Sequence, residues 1–163
     1  MELGVELGII DQVRQLKARY FRYLDTKDWA GFGTVFCADA TFNLLASATV
    51  DPLDGSPEAA ATSHYLLNGR DNIVATIRDA VGISMTVHHG HCHEVWVDSG
   101  QSARGIIAMV DIIRNMQTGA LVLQGFGHYH ETYRQEKGAW RIWTSRLSRL
   151  HVTANLGARA NAT

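Results

Sequence analysis

Tyr20-Phe21-Arg22-Tyr23-Leu24-Asp25-Thr26-Lys27-Asp28-Trp29 is the stretch on which the reading of this chain turns. It closes a pattern in which Ile9, Val13, Leu16, Tyr20 and Leu24 recur every three to four residues, the period of a helix with one apolar face. Acidic residues come early, at Glu6 and Asp11, and basic ones late, at Lys17, Arg19 and Arg22, the polarity that a helix dipole favours. The helix therefore carries the Asp25 carboxylate to the end of its apolar stripe. Asp28 is placed to cap a second, short helix bearing Trp29, Phe32, Val35 and Phe36 on one side, and residues 40–45 read as a short strand.

Working outward, residues 46–68 hold both prolines, Pro52 and Pro57, with Asp54-Gly55 between them. They read as a mobile loop able to act as a lid. A third helix is expected over 70–81, with Ile73, Val74, Ile77, Ala80 and Val81 buried and Gly82 ending it. The period then changes. Residues 85–97, 101–115, 120–135 and 139–150 are β-rich runs separated by Asp98-Ser99-Gly100, Gln117-Thr118-Gly119 and Glu136-Lys137-Gly138, the composition of hairpin turns. Helices followed by four long hairpin-linked strands predict an α+β fold in which a curved meander wraps the N-terminal helices. At 163 residues the chain reads as one domain, 1–163, with its core over about 8–150 and a tail over 151–163 that frays or covers a neighbour.

Fifteen Lys and Arg balance sixteen Asp and Glu, and no run of like charge stands out, so neither nucleic acid nor a membrane surface is an expected partner. A small-molecule ligand is. Cys37 and Cys92 make no disulfide framework or metal finger, and the N-terminus lacks the pattern of a secretory signal. The expected location is the cytoplasm. Residues 106–113 are apolar at both parities apart from Asp111, and a strand apolar on both sides needs cover twice, which predicts a symmetric homo-oligomer.

The chemistry-bearing residues lie apart in sequence. His88, in Met85-Thr86-Val87-His88-His89-Gly90, enters the first long strand, and an imidazole meeting a carboxylate in an apolar hollow forms a general base with a fixed tautomer. In the plainer reading Asp25 only ends its helix or pairs with Lys27 or Arg22, and His88 is an ordinary strand residue. Tyr20 lies on the buried stripe, so its hydroxyl requires a partner, either a substrate oxygen or a backbone carbonyl. Asp111 interrupts an apolar run and needs a cation, for which Arg146 and Arg149 are the candidates. Trp29, Phe32, Phe36, Met109, Phe126, Tyr129 and Trp143 are candidates for the cavity wall, although core packing also explains most of them. His89, His91 and His93 would share one strand face, but a metal would need further ligands from elsewhere, such as His128 and His130, and the reading assigns no metal.

The order of elements, the phrase Tyr23-Leu24-Asp25-Thr26-Lys27-Asp28-Trp29 and the ending Gly138-Ala139-Trp140-Arg141-Ile142-Trp143 resemble the SnoaL-like group of the nuclear-transport-factor-2-like superfamily over about residues 8–150. The resemblance is to its scytalone dehydratase, hexachlorocyclohexane dehydrochlorinase and bile-acid 7α-dehydratase members. It implies a cone-shaped α+β barrel, an Asp25–His88 pair that removes a proton in an elimination, Tyr20 five residues before Asp25 as a helper, and Asp111 as a further strand carboxylate. The implied activity is a cofactor-independent lyase or isomerase acting on a small, largely apolar cyclic metabolite, in a trimer or dimer. The alternative within the superfamily is a non-catalytic binding protein or an accessory subunit of a ring-hydroxylating oxygenase. Leu24, Ile113, Gly127 and Tyr129 depart from the scytalone enzyme's tyrosine, second histidine, serine and asparagine, and so point to a different substrate.

Overall fold

The computed structural model describes residues 1–44 and 66–155. Helix α1 (Leu3–Asp25) is followed by α2 (Trp29–Thr34), strand β1 (Phe36–Asn43), the short strand β2 (Leu66–Asn68), helix α3 (Arg70–Val81) and four long strands, β3 (Ser84–Ser99), β4 (Ser102–Asn115), β5 (Leu121–Glu136) and β6 (Ala139–Ala154). The six strands form one mixed sheet in the order β2-β1-β6-β5-β4-β3. β3 to β6 are joined as antiparallel hairpins, β1 runs parallel to β6, and β2 pairs antiparallel with β1. The sheet stays open and curls over the helices.

Each helix follows from its sequence. α1 buries Ile9, Val13, Leu16, Tyr20 and Leu24 as the spacing predicts, and Phe21 and Lys17 with them. It stops where Lys27 takes a left-handed conformation, φ 60°, after which Asp28 accepts the Gly31 N–H at 2.8 Å and starts α2. α3 spans the expected residues with Ile73 and Ile77 buried. Tyr20, Phe32 and Phe36 pack edge-on or tilted with ring centroids 5.1 to 5.9 Å apart, and burying each such side chain stabilises the fold by roughly 1.5–3 kcal/mol. Gly90 lets α1 lie close on β3, because a Cβ there would sit 2.5 Å from the ring of Phe21.

Three boundaries differ from expectation. Phe36 begins β1 instead of extending α2, since α2 ends at Thr34 and Phe36 pairs with Ile142 of β6. β6 continues to Ala154, beyond the start assigned to the tail. Of the proposed lid over 46–68, only the last three residues are described, as β2; the rest of it, and the tail from 156 on, lie outside the described residues.

Two bulges decide which side chains face the helices. Cys92, φ 43°, sits where the β3–β4 register shifts between His91 and Glu94, and Trp143 is the extra residue where Thr132 pairs with Thr144 but Tyr133 with Ile142. Each reverses the in/out parity beyond it. His89 and His91 thus face outward while His93 turns inward, so the three histidines do not share a face.

Candidate active site

Asp25 and His88 meet. Asp25 Oδ1 lies 2.6 Å from His88 Nδ1, and the backbone N–H of His88 donates to Asp25 Oδ2 at 2.8 Å. Lys27 Nζ is 2.7 Å from Thr86 Oγ1, which lies 2.9 Å from Asp25 Oδ1. An ammonium only donates, so the Thr86 oxygen must accept from Lys27 and aim its own proton at Asp25. The Thr86 hydroxyl and the His88 backbone N–H both donate to Asp25, which is thus set as an acceptor on both oxygens, and its 2.6 Å contact with His88 is satisfied by a proton on Nδ1. That leaves Nε2 as the basic nitrogen. The imidazole stacks on the ring of Phe21, 6.3 Å between centroids and 12° between planes, which holds its orientation. Burial lowers the pKa of Lys27, and the charge of Asp25 opposes the shift. Neither Lys27 nor Arg22 forms the solvent pair with Asp25 that the plainer reading supposed.

His88 opens onto a pocket of about 230 Å³ between α1, α3, β1 and the sheet. Tyr20, Tyr129, Asp111 and Arg149 supply its other polar groups, and Leu24, Phe42, Ile77, Val81 and Leu147 much of its apolar wall. Arg149 Nη1 and Nη2 donate to Asp111 Oδ1 and Oδ2, both at 2.7 Å, so the buried carboxylate is neutralised by a two-point pair. Gly125, opposite Asp111 on β5, makes room for it: a Cβ there would lie 2.3 Å from Arg149 Nη1 and 2.6 Å from Asp111 Oδ1. The rings of Tyr20 and Tyr129 meet edge to face with centroids 5.8 Å apart, and both border the pocket. Burial, first of all, pushes the pKa of both phenols up.

Several expected wall residues lie elsewhere. Arg146 and Arg149 differ in parity, so one strand cannot turn both inward; beyond the Trp143 bulge Arg149 faces in, and Arg146 lines a shallow depression on the outer face with Trp96 and Arg104. Phe126 has the opposite parity to Tyr129 and lies 38% exposed beside His151. Trp143 is 41% exposed under the Arg134 guanidinium. Trp29 packs at the edge of α2 against Phe32, while Phe32, Phe36 and Met109 are core residues without a face on the pocket.

A buried ion pair that the spacing of apolar residues does not reveal lies behind the two tyrosines. Lys17 Nζ donates to Glu131 Oε1 at 2.7 Å with both side chains fully buried. Glu131 also accepts from Ser145 Oγ at 2.9 Å and from the Tyr133 hydroxyl at 2.6 Å. Lys17 reads as one of the late basic residues of the helix, yet it stands four residues after Val13 and three before Tyr20, on the stripe itself. That position was the available signal. Burial lowers its pKa to about 8 against the pull of Glu131. Among the described residues, no group of three or more His, Cys, Asp or Glu side chains is arranged to hold a metal.

Helices cupped by an open six-stranded mixed sheet define the nuclear-transport-factor-2-like cone, and here His88, held by Asp25, borders its largely apolar pocket. Residues 5–146 match the SnoaL-like domain, and the chain belongs to that family. Solved structures agree on the fold. A candidate scytalone dehydratase from Novosphingobium aromaticivorans superposes with TM-score 0.75 at 17% identity, covering 94% of this chain and 92% of that one. A type 2 hexachlorocyclohexane dehydrochlorinase, LinA, gives 0.70 at 12% identity over 93% and 91%. A candidate aromatic ring hydroxylase from N. aromaticivorans gives 0.70 at 17% over 90% and 93%. No curated protein matches the sequence.

Proposed function

We propose that this protein is a cofactor-independent lyase or isomerase that removes a carbon-bound proton from a small, largely apolar cyclic substrate. The observation that carries the reading is the 2.6 Å Asp25–His88 contact, which leaves Nε2 as the basic nitrogen of a ring that borders the pocket. His88 Nε2 takes the proton, the C–H electron pair forms the new double bond, and the leaving group departs with the electrons of its own bond. Asp25 stabilises the imidazolium so formed. Tyr20, with Tyr129, stands where a departing or enolic oxygen needs a hydrogen bond, and the Asp111–Arg149 pair adds a polar corner that orients the substrate. Such an elimination changes no oxidation state overall, so acid and base groups suffice for it. The described walls enclose less than the roughly 300–1,000 Å³ typical of sites for drug-sized ligands, which favours a compact ring over a large polycyclic. Support comes from solved neighbours of this fold named as a candidate scytalone dehydratase and a hexachlorocyclohexane dehydrochlorinase, names that denote eliminations.

5-Nitrobenzisoxazole provides a test independent of the natural substrate, because loss of its ring C–H proton opens the ring to a coloured phenolate. The protein should accelerate that opening, and His88→Ala and Asp25→Asn should each lower the rate by about 10²–10⁴-fold with the fold intact. Equal rates in wild type and His88→Ala would remove the proposal and leave a binding or accessory role for the pocket.

A further inference from the structure

Lys17 is buried yet does not border the pocket, and what it touches does. Its ammonium lies 3.8 Å from the ring centroid of Tyr20 and 3.5 Å from that of Tyr129, anchored at 2.7 Å to Glu131. Both phenols are wall residues, and the ion pair lies behind them as seen from the cavity. Stability does not account for the arrangement, since a buried ion pair is commonly no better than well-packed hydrocarbon of the same volume. A cation on the face of a phenol ring draws electron density from the π system and, through it, from the oxygen. Two phenol hydroxyls carry two protons, and at most one of these can lie between their oxygens, so at least one is left for another acceptor. The nearby carboxylate of Asp111 already has both oxygens engaged by Arg149.

We propose that Lys17 is a positioning residue which, through the ring faces of Tyr20 and Tyr129, makes this pair of phenol hydroxyls a better hydrogen-bond donor to an oxyanion in the pocket than burial alone would leave it. In the elimination proposed above, on which the naming of this oxyanion rests, it is the departing or enolic oxygen. Glu131, with Ser145 and Tyr133 as its own donors, fixes the ammonium against the rings.

The test is binding of 4-nitrophenol to the full chain near neutral pH, followed through the visible band of its phenolate. Wild type should bind the phenolate in preference to the neutral phenol. Lys17→Met/Glu131→Gln, which removes both charges together, and Lys17→Gln, which keeps a donor for Glu131, should each weaken phenolate binding about tenfold or more, one factor of ten being about 1.4 kcal/mol. Tyr20→Phe/Tyr129→Phe should weaken it similarly, and adding Lys17→Gln to that double variant should cause little further loss. Circular dichroism identifies the variants that remain folded. Wild-type phenolate affinity in either folded Lys17 variant, additive losses with Tyr20→Phe/Tyr129→Phe, or a wild type that prefers the neutral phenol would each overturn the inference. Benzisoxazole turnover without phenolate preference removes this inference alone; phenolate preference without turnover removes the proposed reaction and leaves the donor role standing.

Discussion

The residues that form the pair at Asp25 are few, and each has a role set by its neighbours. Lys27 bonds Thr86, Thr86 bonds Asp25, and Asp25 bonds His88. Gly125 serves the opposite wall in the same way, by being small. Replacing it with alanine should place a methyl group against Arg149 Nη1 and Asp111 Oδ1 and destabilise the protein by about 1–3 kcal/mol in urea unfolding, as overpacking does. An alanine variant as stable as wild type would show that the pair has room to move. Asp25 and His88 were legible chiefly through the resemblance to Asp–His eliminating enzymes, since a helix-end acid and a strand histidine also have ordinary structural readings. Thr86 and Lys27 were not, since their roles exist only once helix α1 and strand β3 are brought together.

At the scale of elements, the helix boundaries and the meander could be read closely, because long periodic runs and Gly-containing turns leave little choice. Side-chain parity beyond a bulge could not. Counting alternation through Cys92 and Trp143 misassigns His93 and leaves Arg146 and Arg149 undecided, since a single extra residue reverses every later side chain. The same difficulty hid Glu131, which reads inward only when Tyr129 and Tyr133 are seen as its neighbours on one face of β5. Its pair with Lys17 links α1 to β5 and gives that contact a pH dependence. The unfolded lysine keeps its proton to about pH 10.5 and the folded one to about pH 8, so between these values the unfolded chain holds more protons. The stability of wild type relative to Lys17→Met/Glu131→Gln should therefore rise with pH across that window and lose this contribution as pH falls through its lower end. Urea unfolding below, within and above the window measures it, and a difference independent of pH would contradict the assignment.

Across the whole molecule, the sheet has two faces with different roles. The inner one carries the pocket, and the outer one exposes Val87, Trp96, Phe126 and Trp143, each between 38% and 41%. An apolar sheet face of this kind is expected to find cover in a symmetric oligomer, a trimer or a dimer, and light scattering should return a mass above that of one 18.0 kDa chain. A monomer at micromolar concentration would contradict it. The central claim, that Asp25 holds His88 with Nε2 bare toward the pocket, is tested most directly by long-range nitrogen–proton NMR of the imidazole at a pH where it is neutral. Wild type should show His88 protonated at Nδ1 and unprotonated at Nε2, with that preference lost in Asp25→Asn; a wild-type ring protonated at Nε2 would contradict the account.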